Sequence, residues 1–142
     1  MKTSIGIKPS IVLRAANLVL KNNAKITTQA GSDVPAGDIE IETTGTIQLY
    51  SGSKITTSAN LGDGGHIVMN TIDYLYLNQS QIKTSVSTTE GDAIGGDISI
   101  DPVFVVLNDS QILAETFNGE GGNITIVTVS YTHLTLPTIY SV

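Results

Sequence analysis

Apolar residues fall at alternate positions in short runs, and the runs recur in a fixed order. Asn17-Leu18-Val19-Leu20, Ala24-Lys25-Ile26-Thr27-Thr28 and Gly37-Asp38-Ile39-Glu40-Ile41 make a first set of three. Thr46-Ile47-Gln48-Leu49, Ser53-Lys54-Ile55-Thr56-Thr57 and Gly65-His66-Ile67-Val68-Met69 repeat it. A third set is Tyr74-Leu75-Tyr76-Leu77, Ser80-Gln81-Ile82-Lys83-Thr84 and Gly96-Asp97-Ile98-Ser99-Ile100. The fourth is Phe104-Val105-Val106-Leu107, Ser110-Gln111-Ile112-Leu113-Ala114 and Gly122-Asn123-Ile124-Thr125-Ile126. Leu20, Leu49, Leu77 and Leu107, which close the first run of each set, are 29, 28 and 30 residues apart. A period of two is that of a strand with one buried face. Each set therefore predicts three short strands.

Turn-forming residues separate the first run from the second: Lys21-Asn22-Asn23, Ser51-Gly52, Asn78-Gln79 and Asn108-Asp109. A longer variable segment separates the second run from the third. Three strands per repeat without helices predict an all-β fold, a right-handed parallel β-helix of about four coils. Each coil adds one strand to each of three sheets and stacks its apolar residues on those of the coil below. A β-sandwich also uses short alternating strands, but it does not require the same three-run order four times.

The repeats occupy residues 1–128, with a partial first coil at 1–16 and repeats at about 17–44, 45–71, 72–102 and 103–128. After Thr128 the pattern stops. Val129 to Val142 contains no Asp, Glu, Lys or Arg and no glycine, yet it holds two of the five tyrosines and one of the two histidines. This stretch resembles the conceptual translation of a transposase-type sequencing adapter, which makes 129–142 a non-native tail. The ordinary alternative is a C-terminal strand at Thr132-His133-Leu134-Thr135-Leu136.

Composition narrows the functions open to such a rod. Seven Lys and Arg stand against 13 Asp and Glu, for a net charge of -6 and a pI near 4.6. The charges are scattered, so the chain offers neither a nucleic-acid footprint nor an anchor for anionic lipid. Only 14% of residues are charged, against about 25% in ordinary soluble domains; Gly, Ser, Thr and Asn take their place. Without cysteine there are no disulfides, no thiolate chemistry and no Cys-bound zinc. The first residues do not form a signal peptide, because Pro9 interrupts them and no long apolar run follows Lys2. No run approaches the roughly 18 apolar residues of a membrane span.

Candidate chemistry is sparse. His66 is the one histidine before the tail, and it fills the slot taken elsewhere by Asp38, Asp97 and Asn123. One imidazole makes no zinc site, and without a Met, Tyr or Cys placed beside it axial haem ligation has little support. One carboxylate per coil falls short of the six to eight oxygens that calcium takes, about that many in most sites. The slot therefore reads as a small polar position at a turn. The glycine pairs Gly64-Gly65, Gly95-Gly96 and Gly121-Gly122 open no helix and precede no lysine, unlike a phosphate loop; positive φ at a tight bend is the expected reason for them. Arg14, the only arginine, lies in the first coil, far from any acidic cluster. Tyr50, Tyr74 and Tyr76 are few and dispersed for a carbohydrate-stacking platform. The better candidates are the variable loops, Gln29 to Ala36, Ser58 to Asp63, Ser85 to Ile94 and Glu115 to Glu120, since loops on a rigid scaffold carry specificity. No catalytic, cofactor-binding or metal-binding residue is assigned, and no cofactor is expected.

The Leu-x-Leu, Ser-x-Ile-x-Thr and Gly-Gly-[Asp/Asn]-Ile-x-Ile pattern resembles large bacterial exoproteins of the filamentous-haemagglutinin-like class. Ser110-Gln111-Ile112-Leu113-Ala114 with Gly121-Gly122-Asn123-Ile124-Thr125-Ile126 carries it best, and the likeness runs from about Val12 to Thr128. It implies a passenger exported by two-partner secretion through an outer-membrane pore, with adhesion or haem utilisation as its role. The expectation is a shaft segment of a secreted or cell-surface adhesin that presents loops to a host-surface or carbohydrate ligand, without catalysis. The alternatives are a β-helical polysaccharide lyase or hydrolase, and a module binding haem or a host ligand.

Overall fold

Each alternating run becomes a strand. In a computed structural model, which describes residues 9–88 and 93–128, the first coil holds β1 (Ile11–Ala15), β2 (Leu18–Leu20) and β3 (Lys25–Ala30). The second holds β4 (Ile39–Thr43), β5 (Ile47–Tyr50) and β6 (Lys54–Ala59). The third holds β7 (Ile67–Thr71), β8 (Tyr74–Asn78) and β9 (Gln81–Val86). The fourth holds β10 (Ile98–Asp101), β11 (Phe104–Asn108) and β12 (Gln111–Thr116), and β13 (Ile124–Ile126) follows. Strands of like position pair in parallel. The first sheet runs β1-β4-β7-β10-β13, the second β2-β5-β8-β11 and the third β3-β6-β9-β12. The chain is an all-β parallel β-solenoid of about four turns, as the repeats predict. The suspected tail, 129–142, lies outside the described residues.

The pairing register stacks like on like. Ile11, Ile39, Ile67, Ile98 and Ile124 form one inward column, and Ile26, Ile55, Ile82 and Ile112 another. The inward aliphatics of the two middle coils are wholly buried, among them Ile39, Leu49, Met69 and Leu77. Burying each is worth about 1.5–3 kcal/mol. β1 lies in the stretch expected only as a partial coil; it is a full strand, with Ile11 to Ala15 paired to Ile39 to Thr43.

The corners divide by length. Residues 16–17, 44–46, 72–73 and 102–103 turn the first sheet into the second, and 21–24, 51–53, 79–80 and 109–110 turn the second into the third. The latter corner uses left-handed backbone at Asn23 (φ 62°), Ser51 (φ 55°), Gln79 (φ 52°) and Asp109 (φ 50°). Asn and Asp tolerate that region better than most residues. The third corner is long: 31–38, 60–66, 87–97 and 117–123.

Two expectations about this third corner need correction. The variable loops begin later than their composition suggests, because Gln29-Ala30, Ser58-Ala59, Ser85-Val86 and Glu115-Thr116 continue the third sheet in register. The inward residues Ala30, Ala59 and Val86 join Ala36 and Ala93 in a second, smaller apolar cluster. The loop roots are thus packed, and short side chains concealed their strand character. The glycines, in turn, do not serve positive φ: that conformation occurs at Gly52 and Gly119, and not at Gly65, Gly96 or Gly122. A Cβ at Gly65, Gly96 or Gly122 would collide with the carbonyl oxygen of Gly37, Gly65 or Gly96 in the coil before. Glycine is required there because backbone stacks directly on backbone. The Thr28, Thr57 and Thr84 hydroxyls donate to the carbonyls of Gly37, Gly65 and Gly96 at 2.6, 2.9 and 2.7 Å, tying the third sheet across to this column.

Candidate functional site

The slot of Asp38, His66, Asp97 and Asn123 sits immediately before the first sheet, and its side chains form an axial chain of hydrogen bonds. The His66 backbone N–H donates to Asp38 Oδ1 at 2.8 Å. The Asp97 N–H donates to His66 Nδ1 at 3.0 Å, and the Asn123 N–H donates to Asp97 Oδ1 at 2.8 Å. Each side chain thereby satisfies a backbone donor of the next coil that has no strand partner. The position calls for an acceptor close to Cβ, which Asp and His Nδ1 both supply. His66 serves through the lone pair of Nδ1. These groups are occupied in holding coils together, a more specific role than turn compatibility.

A second cluster lies where the first sheet turns into the second. Arg14, Glu42, Asn70 and Asp101 occupy one outward register column. Together with Ile72 and Val103 they line an open cleft of about 430 Å³. Arg14 Nε bonds Glu42 Oε2 at 3.0 Å. The expectation that Arg14 stands apart from acidic residues is therefore wrong, because a solenoid brings positions one repeat away in sequence into contact. Both partners are well exposed, at 69% and 49%, so the pair is worth about 0–1 kcal/mol. Glu42 and Asp101 are separated by two strand spacings of about 4.8 Å each, with Asn70 between them.

The outward face of the second sheet is different in kind. Its strands β2, β5, β8 and β11 contain no Asp, Glu, Lys, Arg or His. Arg14, Glu40, Glu42 and Asp101 mark the first sheet, and Lys25, Lys54, Lys83 and Glu115 the third. On the uncharged face Tyr50 and Tyr76 meet with ring centroids 5.4 Å apart and planes tilted by 45°. Tyr74 stacks on Phe104 at 5.6 Å and 11°. All four rings are partly exposed. Tyr50 Oη donates to Gln48 Oε1 at 2.5 Å, Gln48 Nε2 to Thr46 Oγ1 at 2.9 Å, and Asn108 Nδ2 to Asn78 Oδ1 at 3.3 Å. The tyrosines are dispersed in sequence but not in space. The signal was present in the aligned runs, since Tyr74 and Phe104 open equivalent runs and Tyr74 and Tyr76 point the same way from one strand.

No protein-family model matches the chain, and neither a curated protein nor a solved structure does. The fold alone is established.

The third-corner loops, favoured from the sequence as ligand-presenting, have packed roots and expose large apolar side chains. Leu61, Ile94 and Phe117 are 52%, 56% and 79% exposed. Neighbouring loops are joined by backbone bonds such as Ala36 N–H to Asp63 O at 3.0 Å and Gly64 N–H to Ile94 O at 2.9 Å. Those joints make the described part of this corner a wall rather than a set of independent loops.

Proposed function

We propose that the chain is a shaft segment of a secreted or cell-surface bacterial exoprotein of the filamentous-haemagglutinin-like class, which displays its surfaces for adhesion and performs no catalysis. One observation carries this reading. The strands keep an unbroken register while the repeat length swings from 31 to 26 residues between successive coils, and the long corner absorbs the difference. A scaffold selected for continuity along its axis has this property. A chain exported unfolded through an outer-membrane pore, as the class implies, also gains from having no cysteine to cross-link early. Antibodies raised against the chain should label intact cells of the source bacterium. Labelling that appears only after the cells are permeabilised would overturn the proposal.

A second reading is a β-helical polysaccharide lyase or hydrolase. The Arg14, Glu42, Asn70 and Asp101 column favours it, since its two acidic positions lie two strand spacings apart, about 9.6 Å, close to the outer limit of the carboxyl separation inverting glycosidases use. Against it, Glu42 is already tied to Arg14. Cleavage of acidic polysaccharides by the purified chain, lost in Asp101→Asn, would establish this second reading and displace the first.

A further inference from the structure

We infer that the outward face of the second sheet binds a neutral polysaccharide. The inference rests on the adhesion role proposed above and names the ligand class for it. Three observations converge on this face. The first is charge: its four strands carry none, although the chain as a whole has a net charge of -6 and the other two sheets are studded with ionic residues. A face without charge offers nothing to an anionic glycan or an acidic peptide, and it imposes no desolvated charge on a neutral ligand. The second is amphipathic chemistry. Tyr50, Tyr74, Tyr76 and Phe104 present apolar ring surface, against which the C–H groups of a sugar pack. The Tyr hydroxyls, Gln48 and Asn78 supply donors and acceptors of the kind that sugar hydroxyls require.

The third is preorganisation. Gln48 is held at both ends, by Tyr50 Oη and Thr46 Oγ1, and the rings are fixed in pairs across coils. Little side-chain entropy remains to be lost when a ligand docks. The rings also lie on a regular lattice, about 4.8 Å between coils and about 6.8 Å between alternate residues of one strand. An extended polymer can therefore touch several of them at once, and the weak contribution of each contact is multiplied along the chain.

The test is affinity electrophoresis of the intact chain in native gels containing hydroxyethylcellulose or laminarin, with polygalacturonate and heparin as anionic comparisons. A neutral glycan should retard the protein and the anionic ones should not. Tyr76→Thr, which keeps a β-forming residue, should weaken retardation by about tenfold. Tyr76→Phe should retain most of it, and Val68→Thr on the outer face of the first sheet should leave it unchanged. Far-ultraviolet circular dichroism confirms that each variant is folded. Retardation by the anionic glycans alone, by neither neutral glycan, or to the same extent in Tyr76→Thr overturns the inference. Self-association that Tyr76→Thr abolishes would assign the face to a second copy instead. Cell location plays no part in this assay, so its failure leaves the shaft reading standing.

Discussion

Gly96 and Gly31 are both third-corner glycines, yet only one of them is required. A Cβ at Gly96 would fall on the Gly65 carbonyl oxygen, whereas one at Gly31 would meet nothing within 4 Å. Gly96→Ala should therefore destabilise the fold by about 1–3 kcal/mol through overpacking. Gly31→Ala should be neutral or slightly stabilising, because it narrows the unfolded ensemble. Urea midpoints of the two variants measure the contrast, and equal effects would show that the stacked-backbone account is wrong. His66 makes a parallel case. His66→Asp preserves an acceptor for the Asp97 N–H and should leave the midpoint nearly unchanged. His66→Leu removes the acceptor and should cost about 0.5–1.5 kcal/mol, the usual net worth of one hydrogen bond.

At the level of the element, strands are rigidly specified and the third corner varies most in length. The second corner has four residues in the first coil and two in the third and fourth, and it depends on left-handed residues at Ser51, Gln79 and Asp109. Inserting Gly-Ser between Gln79 and Ser80 shifts no alternation within β8 or β9, but it pushes apart a tight two-residue corner in which the Ser80 N–H donates to Ser110 Oγ at 3.0 Å. The same insertion after Gly31 falls in a connection already eight residues long. The first insertion should lower the thermal midpoint by several degrees and the second hardly at all. A slip of one residue would turn every inward aliphatic outward, which is why repeats this unequal in length still hold one register.

How much was legible followed from the same distinction. The alternation of Ile, Leu and Val gave the strands, their order and the three-sheet solenoid, because a buried column of like residues leaves a period-two trace in each coil. Ala30, Ala59 and Val86 left no such trace, since alanine beside serine and threonine has the composition of a loop. The reason for Gly65, Gly96 and Gly122 was not legible either, because the contact that demands glycine is made with a residue one coil away. Arg14 with Glu42, and Tyr74 with Phe104, were hidden for the same cause.

Among the described residues burial falls from the middle coils toward the first and last coils. Ile39 to Ile100 supply nearly all the wholly buried aliphatics, while Ile11, Leu13, Leu18 and Ile26 in the first coil, and Val105 and Ile126 beyond the third, are only partly covered. Stability in a solenoid is a sum of repeat and neighbour-interface terms, so added coils would bury what these end coils expose. The three sides of the rod also differ: ionic residues on the first and third sheets, and aromatic rings with neutral amides on the second. On the function proposed above, this rod is one section of a longer exported shaft. Sequencing the DNA on either side of the coding region in the source organism tests it most directly. The expected result is further repeats of about 28 residues with Leu-x-Leu, Ser-x-Ile-x-Thr and Gly-Gly-[Asp/Asn]-Ile-x-Ile motifs, an export domain upstream and an outer-membrane pore gene nearby. An open reading frame in which the repeats end on both sides, with no export domain, would contradict it.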